Sequence, residues 1–193
     1  LGMNEALTTD SSIIQLEQQS LIAFRLDQQT YALPVEPIVQ IIPMVTITPL
    51  PRVSDTVEGM INVRGQVVPV VDLRRHLSLP QVAPTLHTPI LLVEIGEQTI
   101  GLIVDQVVDI FALSPGQIVP PTDVLPERLG EASILRGLVH ISGTMGLLLD
   151  PEHLFLPHQM EALVEAATLL PELAAQYTRQ ELSGEEPGAE GSA

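Results

Sequence analysis

The stretch Asp27-Gln-Gln-Thr-Tyr-Ala-Leu-Pro-Val-Glu-Pro-Ile-Val-Gln-Ile-Ile42 recurs as Gly96-Glu-Gln-Thr-Ile-Gly-Leu-Ile-Val-Asp-Gln-Val-Val-Asp-Ile-Phe111. Laid over one another, Gln29/Gln98, Thr30/Thr99, Leu33/Leu102, Val35/Val104, Val39/Val108 and Ile41/Ile110 are identical, and Glu36/Asp105 keeps its charge. Chance gives on the order of one or two identities in a window of this length and apolar bias. A second block follows in the same order: Gly59-Met-Ile-Asn-Val-Arg-Gly-Gln-Val-Val-Pro-Val-Val-Asp72 over Gly137-Leu-Val-His-Ile-Ser-Gly-Thr-Met-Gly-Leu-Leu-Leu-Asp150. Two blocks in register and in order, with matching turns, argue for internal duplication rather than two generic hairpins.

Working outward, about ten short runs rich in Val, Ile and Leu fall between Leu21 and Leu149, each bounded by turn formers such as Asp27-Gln28-Gln29 or Ser142-Gly143-Thr144. Aromatics make up only 3% of the 193 residues and Trp is absent, so the interior must be aliphatic. Short β-branched runs with regular punctuation favour strands. The expected fold is all-β. Each copy supplies about five strands that close on themselves and so remove their exposed edges. The first barrel is placed at about residues 20–80, the second at about 88–156, with the Pro-rich Leu79–Thr85 between them. Asp72 and Asp150 end equivalent strands and should cap short helical turns, with Pro151 at the favoured first position.

After Pro157 the period changes to 3.6, with Met160, Leu163, Val164, Ala167 and Leu170 on one face. A C-terminal helix is expected over 159–182, docked on the body, with a partner-binding helix as the other reading. Residues 183–193 are small, polar and acidic and read as a disordered tail, and 1–19 as an N-terminal tail.

The formal charge is −16, with no Lys and eight Arg. A chain this acidic is repelled by nucleic-acid phosphates and anionic membranes, which argues against both as partners. Cys is absent, consistent with a reducing cytoplasm, and neither a signal peptide nor a membrane-spanning run of apolar residues is present. The protein is read as cytoplasmic. No nucleophile elbow occurs, and a phosphate loop needs a Lys the chain lacks. The five His are not paired at zinc-ligand spacing, and the carboxylates fall in turns and caps. No catalytic residue, cofactor or metal is therefore expected, and the chain is read as a binding protein. A small-barrel enzyme with an acid pair assembled in space is the competing reading from another class.

The copies differ where function should lie. Asn62-Val63-Arg64-Gly65 faces His140-Ile141-Ser142-Gly143. The shared glycine supplies a tight turn, whereas Arg64 has no such duty and is a residue type favoured at interfaces. The shared positions are read as scaffold, and Arg64 as the mark of the specialised face.

Gly59-Met-Ile-Asn-Val-Arg-Gly-Gln-Val-Val-Pro-Val-Val-Asp-Leu-Arg74 resembles the signature of the CheW family of chemotaxis coupling proteins, and so do Leu21–Leu26, Gly101–Asp105 and Ile134–Gly137. The resemblance runs in order from about Leu21 to Phe155, so that 20–158 is identified as a CheW-like domain. It implies two small five-stranded SH3-like β-barrels and an adaptor between the regulatory domain of a CheA-type histidine kinase and the helical cytoplasmic tip of chemoreceptors. It also implies a receptor helix hairpin lying in a groove between the barrels. By motif position Val39, Asn62, Arg64, Gly65 and Gly101 are the implied partner-binding residues. Ile41 departs from the Glu often found there. Flagellar, pilus-based or other kinase pathways, and a CheW-like piece of a larger protein, are all open on this resemblance.

Overall fold

The computed structural model describes residues 19–50, 57–121 and 134–168. Ten strands fall in two five-stranded sheets, and the apolar runs dictate where they lie. In chain order they are β1 (Gln19–Leu26), β2 (Gln29–Pro34), β3 (Ile38–Pro43), β4 (Val57–Val63), β5 (Gln66–Asp72), β6 (Pro89–Ile95), β7 (Gln98–Ile103), β8 (Gln106–Leu113), β9 (Leu135–Ile141) and β10 (Thr144–Leu149). One sheet has the order β8-β1-β2-β10-β9, the other β3-β6-β7-β5-β4.

Shifting every strand number by five converts the first order into the second, so the duplication is written into the topology as well as the sequence. Registers agree too. β10 runs parallel to β2 with Leu148 opposite Ala32, and β5 runs parallel to β7 with Val70 opposite Gly101. These are equivalent residues in the two alignments. The cores match in the same way: Leu21, Ala23, Val139 and Leu148 in one cluster stand where Ile90, Leu92, Ile61 and Val70 stand in the other.

The sheets correct one expectation. Neither is built from a single copy, so barrels at 20–80 and 88–156 do not describe the molecule. Among the described residues, one compact unit takes those within 19–38 and 105–154, the other those within 39–104 and 155–168. The first unit therefore joins the β1–β2 hairpin of copy one to β8, β9 and β10 of copy two. The second joins the β6–β7 hairpin of copy two to β3, β4 and β5 of copy one. Because the copies carry the same apolar pattern, a hairpin from either one satisfies the same sheet position, and hydrophobic patterning alone does not choose between them.

Each sheet is drawn toward closure by one bridge. The chain leaving β3 reaches β4 at the far end of its sheet, where the Thr48 and Met60 amides each donate to the other's carbonyl at 2.8 and 2.9 Å. The chain leaving β8 does the same at β9, through Val119 and Leu138 at 2.9 and 2.8 Å. Glycine is required beside both bridges. A Cβ on Gly59, whose φ is +149°, would sit 2.3 Å from the Thr48 carbonyl oxygen, and one on Gly137 would sit 2.8 Å from that of Val119.

The expected caps are present. Asp72 accepts from the Arg74 amide at 2.8 Å and opens the single-turn helix α1 (Leu73–His76); Asp150 accepts from the Glu152 amide at 3.1 Å and opens a 3-10 turn at Pro151–His153. A second helix, α2, covers 157–168, its first turn held by the Gln159 side chain accepting from the Leu156 amide. Leu163 and Ala166 are buried, which is the docked arrangement, while Val164 stays exposed. The rest of the expected helix, the acidic tail and the N-terminal residues 1–18 lie outside the described residues.

Arg74 is buried, and its Nη1 donates to the Pro80 carbonyl at 2.6 Å, fixing the start of the connection between the copies. Exchange of Arg74 for Met keeps the apolar stem but strips the Pro80 carbonyl of a charge-assisted partner. A loss of roughly 2–3 kcal/mol is expected, read as a lower urea midpoint at unchanged m-value.

Tyr31 is also buried, stacked on Phe24 at 6.0 Å between ring centroids. Its phenol ionises above the usual 10.0, first because it is buried and second because Asp27 adds negative charge nearby. The unfolded chain releases this proton near pH 10, before the folded one does, so stability is full below that pH and falls as pH rises through the folded value. Thermal melts between pH 9 and about 12 should show this alkaline loss, and Tyr31→Phe should flatten it.

Candidate partner-docking site

The β4–β5 hairpin turns through two residues, Arg64 and Gly65, between the paired Val63 and Gln66. Both have positive φ, 52° and 88°, the type I′ geometry that suits the right-handed twist of the flanking strands. Asn62 closes the turn, its Oδ1 accepting from the Gly65 amide at 2.8 Å. Asn62 and Gly65 thus build the turn, and Arg64 is what the turn displays. An L-residue in the left-handed region costs of order 1 kcal/mol, and Arg64 accepts that cost while exposed. It makes no hydrogen bond or ion pair with any described residue. The equivalent Ser142-Gly143 turn has φ values of 48° and 85°, so the backbone is shared and only the displayed side chain differs.

The other arginines described in this unit are engaged. Arg75 Nη1 lies 2.8 Å from Glu58 Oε1, and Arg74 is buried as above. The unit also exposes an apolar stripe. β3 alternates between half-buried and exposed positions, leaving Val39 55% and Ile41 40% exposed on one face. Val45, just beyond the strand, is 41% exposed. The Thr48–Met60 bridge then carries this same segment back against β4, the strand that leads into Arg64.

Gly101 has a different place. It lies buried in β7 between β6 and β5, and a Cβ there would meet Ile90 Cγ2 at 3.0 Å and Val70 Cγ2 at 3.2 Å. It touches no surface, and any effect it has on a partner passes through the packing of the sheet.

The reading of the shared positions as scaffold is corrected by β3 and β8. Val39/Val108 and Ile41/Ile110 are identical between the copies, yet all four are exposed, Val108 at 42% and Ile110 at 56%. Both strands lie at the end of a sheet. The sequence did carry a signal for this: a Val-x-Ile pattern repeated in strands that also hold Gln40 and Asp109. Ile41 and Val45 are the members of this surface that sequence reasoning did not include.

The profile of the CheW-like domain matches residues 20–156, which include all ten strands but the first residue of β1. The chain belongs to the CheW-like family. Chemotaxis protein CheW of Rhizobium meliloti is 32% identical over 144 residues, covering 75% of this chain and 92% of the relative. Protein FrzA of Myxococcus xanthus is 30% identical over 129 residues, covering 65% and 77%. Among solved structures, the scaffolding protein TtCheW of Thermoanaerobacter tengcongensis is similar with a TM-score of 0.65 and 26% identity, covering 74% of this chain and 95% of that one. The turn formers Asn62 and Gly65, the closure glycine Gly59 and the capping Asp72 all lie within the matched residues. No helix among the described residues is long and apolar enough to cross a membrane.

Proposed function

We propose that this CheW-like chain is a non-catalytic cytoplasmic adaptor that couples the helical tip of a chemoreceptor to the regulatory domain of a CheA-type histidine kinase. The observation that carries this reading is the surface of the second unit, an exposed stripe of Val39, Ile41 and Val45 in a unit that also displays Arg64, unpaired among the described residues, on a strained turn. Residues Val39 and Ile41 are separated by about 6.6 Å along an extended strand, close to the ~6 Å between positions i and i+4 of a helix. A helix with an apolar i, i+4 pair and a nearby carboxylate fits both features, which is the helix-in-groove mode of recognition. Coupling within a pilus or other non-flagellar kinase pathway is the second reading, supported by the similarity to a relative named FrzA as well as to relatives named CheW.

The reading is tested by isothermal titration of the purified chain with a soluble receptor-tip hairpin and, separately, with the kinase regulatory domain. Binding of both is expected, and the receptor arm should weaken tenfold or more with Val39→Asp, a charge placed in an apolar contact. No heat and no co-sedimentation with either partner at low salt would end it.

A further inference from the structure

A depression of about 220 Å³ opens beside the chain that connects the copies, and every residue lining it belongs to the second unit. Ile47, Val82 and Ile103 give it apolar walls, and Glu58, Asp72, Arg75 and Gln81 its polar groups. These polar groups accept more than they donate. Arg75, the cation of the lining, already lies 2.8 Å from Glu58. Gln81 spends its Nε2 on the Leu79 carbonyl at 3.1 Å, which leaves its Oε1 as an acceptor. Asp72 is only 7% exposed; its Oδ1 caps α1, while its Oδ2 receives no hydrogen bond from any described residue. No buried side-chain oxygen lacks a partner among the described residues, so Oδ2 is reached from outside, and the depression is the opening that Asp72 lines. We propose that this depression binds a primary ammonium group on a short aliphatic stem, with Asp72 as its carboxylate. The inference goes beyond the adaptor reading and does not rest on it.

Three observations select this chemistry. The first is the donor and acceptor balance. An ammonium donates three hydrogen bonds and accepts none, which suits a lining whose spare groups are oxygens. A guanidinium fork needs both oxygens of a carboxylate, and Asp72 has one to give, so the compact point charge fits better. The second is size. At ~30 Å³ per water the space holds roughly seven waters, room for a group of about five non-hydrogen atoms with its stem along Val82 and Ile103. The third is the duplication, which supplies a built-in contrast. Asp150, the counterpart of Asp72, has both oxygens engaged, one by the Glu152 amide at 3.1 Å and the other 3.0 Å from His153 Nδ1. Arg136 stands where Glu58 stands. The same fold position is therefore open to a cation in one copy and closed to it in the other. The chain contains no Lys, so a side-chain ammonium has to come from outside, as a free amine or as the lysine side chain of a partner.

The test is titration of the full chain with n-butylammonium, followed by methyl NMR. Saturable shifts of the Ile47, Val82 and Ile103 methyls are expected in the low millimolar range, as suits so small a ligand, with Val39 and Ile41 unmoved. Uncharged n-butanol, which has the same stem, should bind at least tenfold more weakly. Asp72→Asn keeps a side-chain oxygen for the α1 cap and removes the charge, and it should weaken butylammonium tenfold or more. Glu58→Gln leaves the cap untouched, takes a carboxylate from Arg75 and should also weaken binding. N-acetyl-lysinamide separates the sources: binding as strong as that of butylammonium assigns the site to a partner's lysine, and binding of butylammonium alone assigns it to a free amine. The proposal is overturned if butylammonium gives no saturable shift, if butanol binds equally well, or if both variants bind like the parent chain.

Discussion

Replacing Arg64 with Asn should weaken binding of the receptor tip by about 30- to 1,000-fold, or ~2–4 kcal/mol, while leaving the fold as stable as before or more stable by up to ~1 kcal/mol. The two halves of this expectation have one cause. Arg64 holds a left-handed backbone that favours Gly or Asn, and Asn62 and Gly65 retain the turn whatever stands at position 64. The guanidinium has no hydrogen bond or ion pair with any described residue, so its removal breaks none of those contacts. A residue that carries strain at an exposed hairpin tip and makes no hydrogen bond or ion pair with any described residue fits the pattern expected of a functional position. Calorimetric titration and chemical denaturation of the same preparation separate the effects. A parallel loss of stability and binding would show that Arg64 supports the fold instead.

The second large effect is structural. Gly59→Ala and Gly137→Ala should each destabilise the chain by about 3 kcal/mol or more. A methyl at Gly59 would lie 2.3 Å from Thr48 O and 2.8 Å from Ile47 Cγ2. One at Gly137 would lie 2.6 Å from Ile118 Cγ2 and 2.8 Å from Val119 O. The obstacle in both cases includes backbone at the closing bridge, which cannot swing aside as a flexible side chain can. Gly59 adds the cost of its positive φ and should be the worse of the two. By contrast, Gly65→Ala meets no atom within 4 Å and pays only for its φ of +88°, about 1–2 kcal/mol. Urea midpoints for the three variants should therefore rank Gly59, Gly137, Gly65 in decreasing damage.

Much of this fold is legible in the residues because the duplication repeats each signal. The paired Gly59 and Gly137, the capping Asp72 and Asp150, and the turns at Arg64-Gly65 and Ser142-Gly143 are short-range features, set by local backbone geometry. Strand exchange is not local. Once two copies share a pattern, a hairpin of one fits the sheet of the other equally well, and only the path of the connecting chain decides. Val35–Pro37 leads from β2 of one sheet into β3 of the other, and nothing in those residues announces the change.

The candidate site was legible only in part. Arg64 stands out because its counterpart is Ser142. Val39 and Ile41 hide behind their identity with Val108 and Ile110, since repeated aliphatic residues in strands normally mean core. In β3 and β8 the same alternation leaves one row exposed, and only the structure shows it. Gly101 shows the converse: the family resemblance points to it, while its burial against Ile90 and Val70 assigns it to packing.

An adaptor holds two partners on one chain at once, and sedimentation velocity of a three-component mixture reads this out. With the full chain, a receptor-tip hairpin and a kinase regulatory domain together, a single boundary containing all three is expected, and Arg64→Asn should release the hairpin while the kinase fragment stays bound. Separate binary boundaries, with either fragment displacing the other, would rule out an adaptor that holds both.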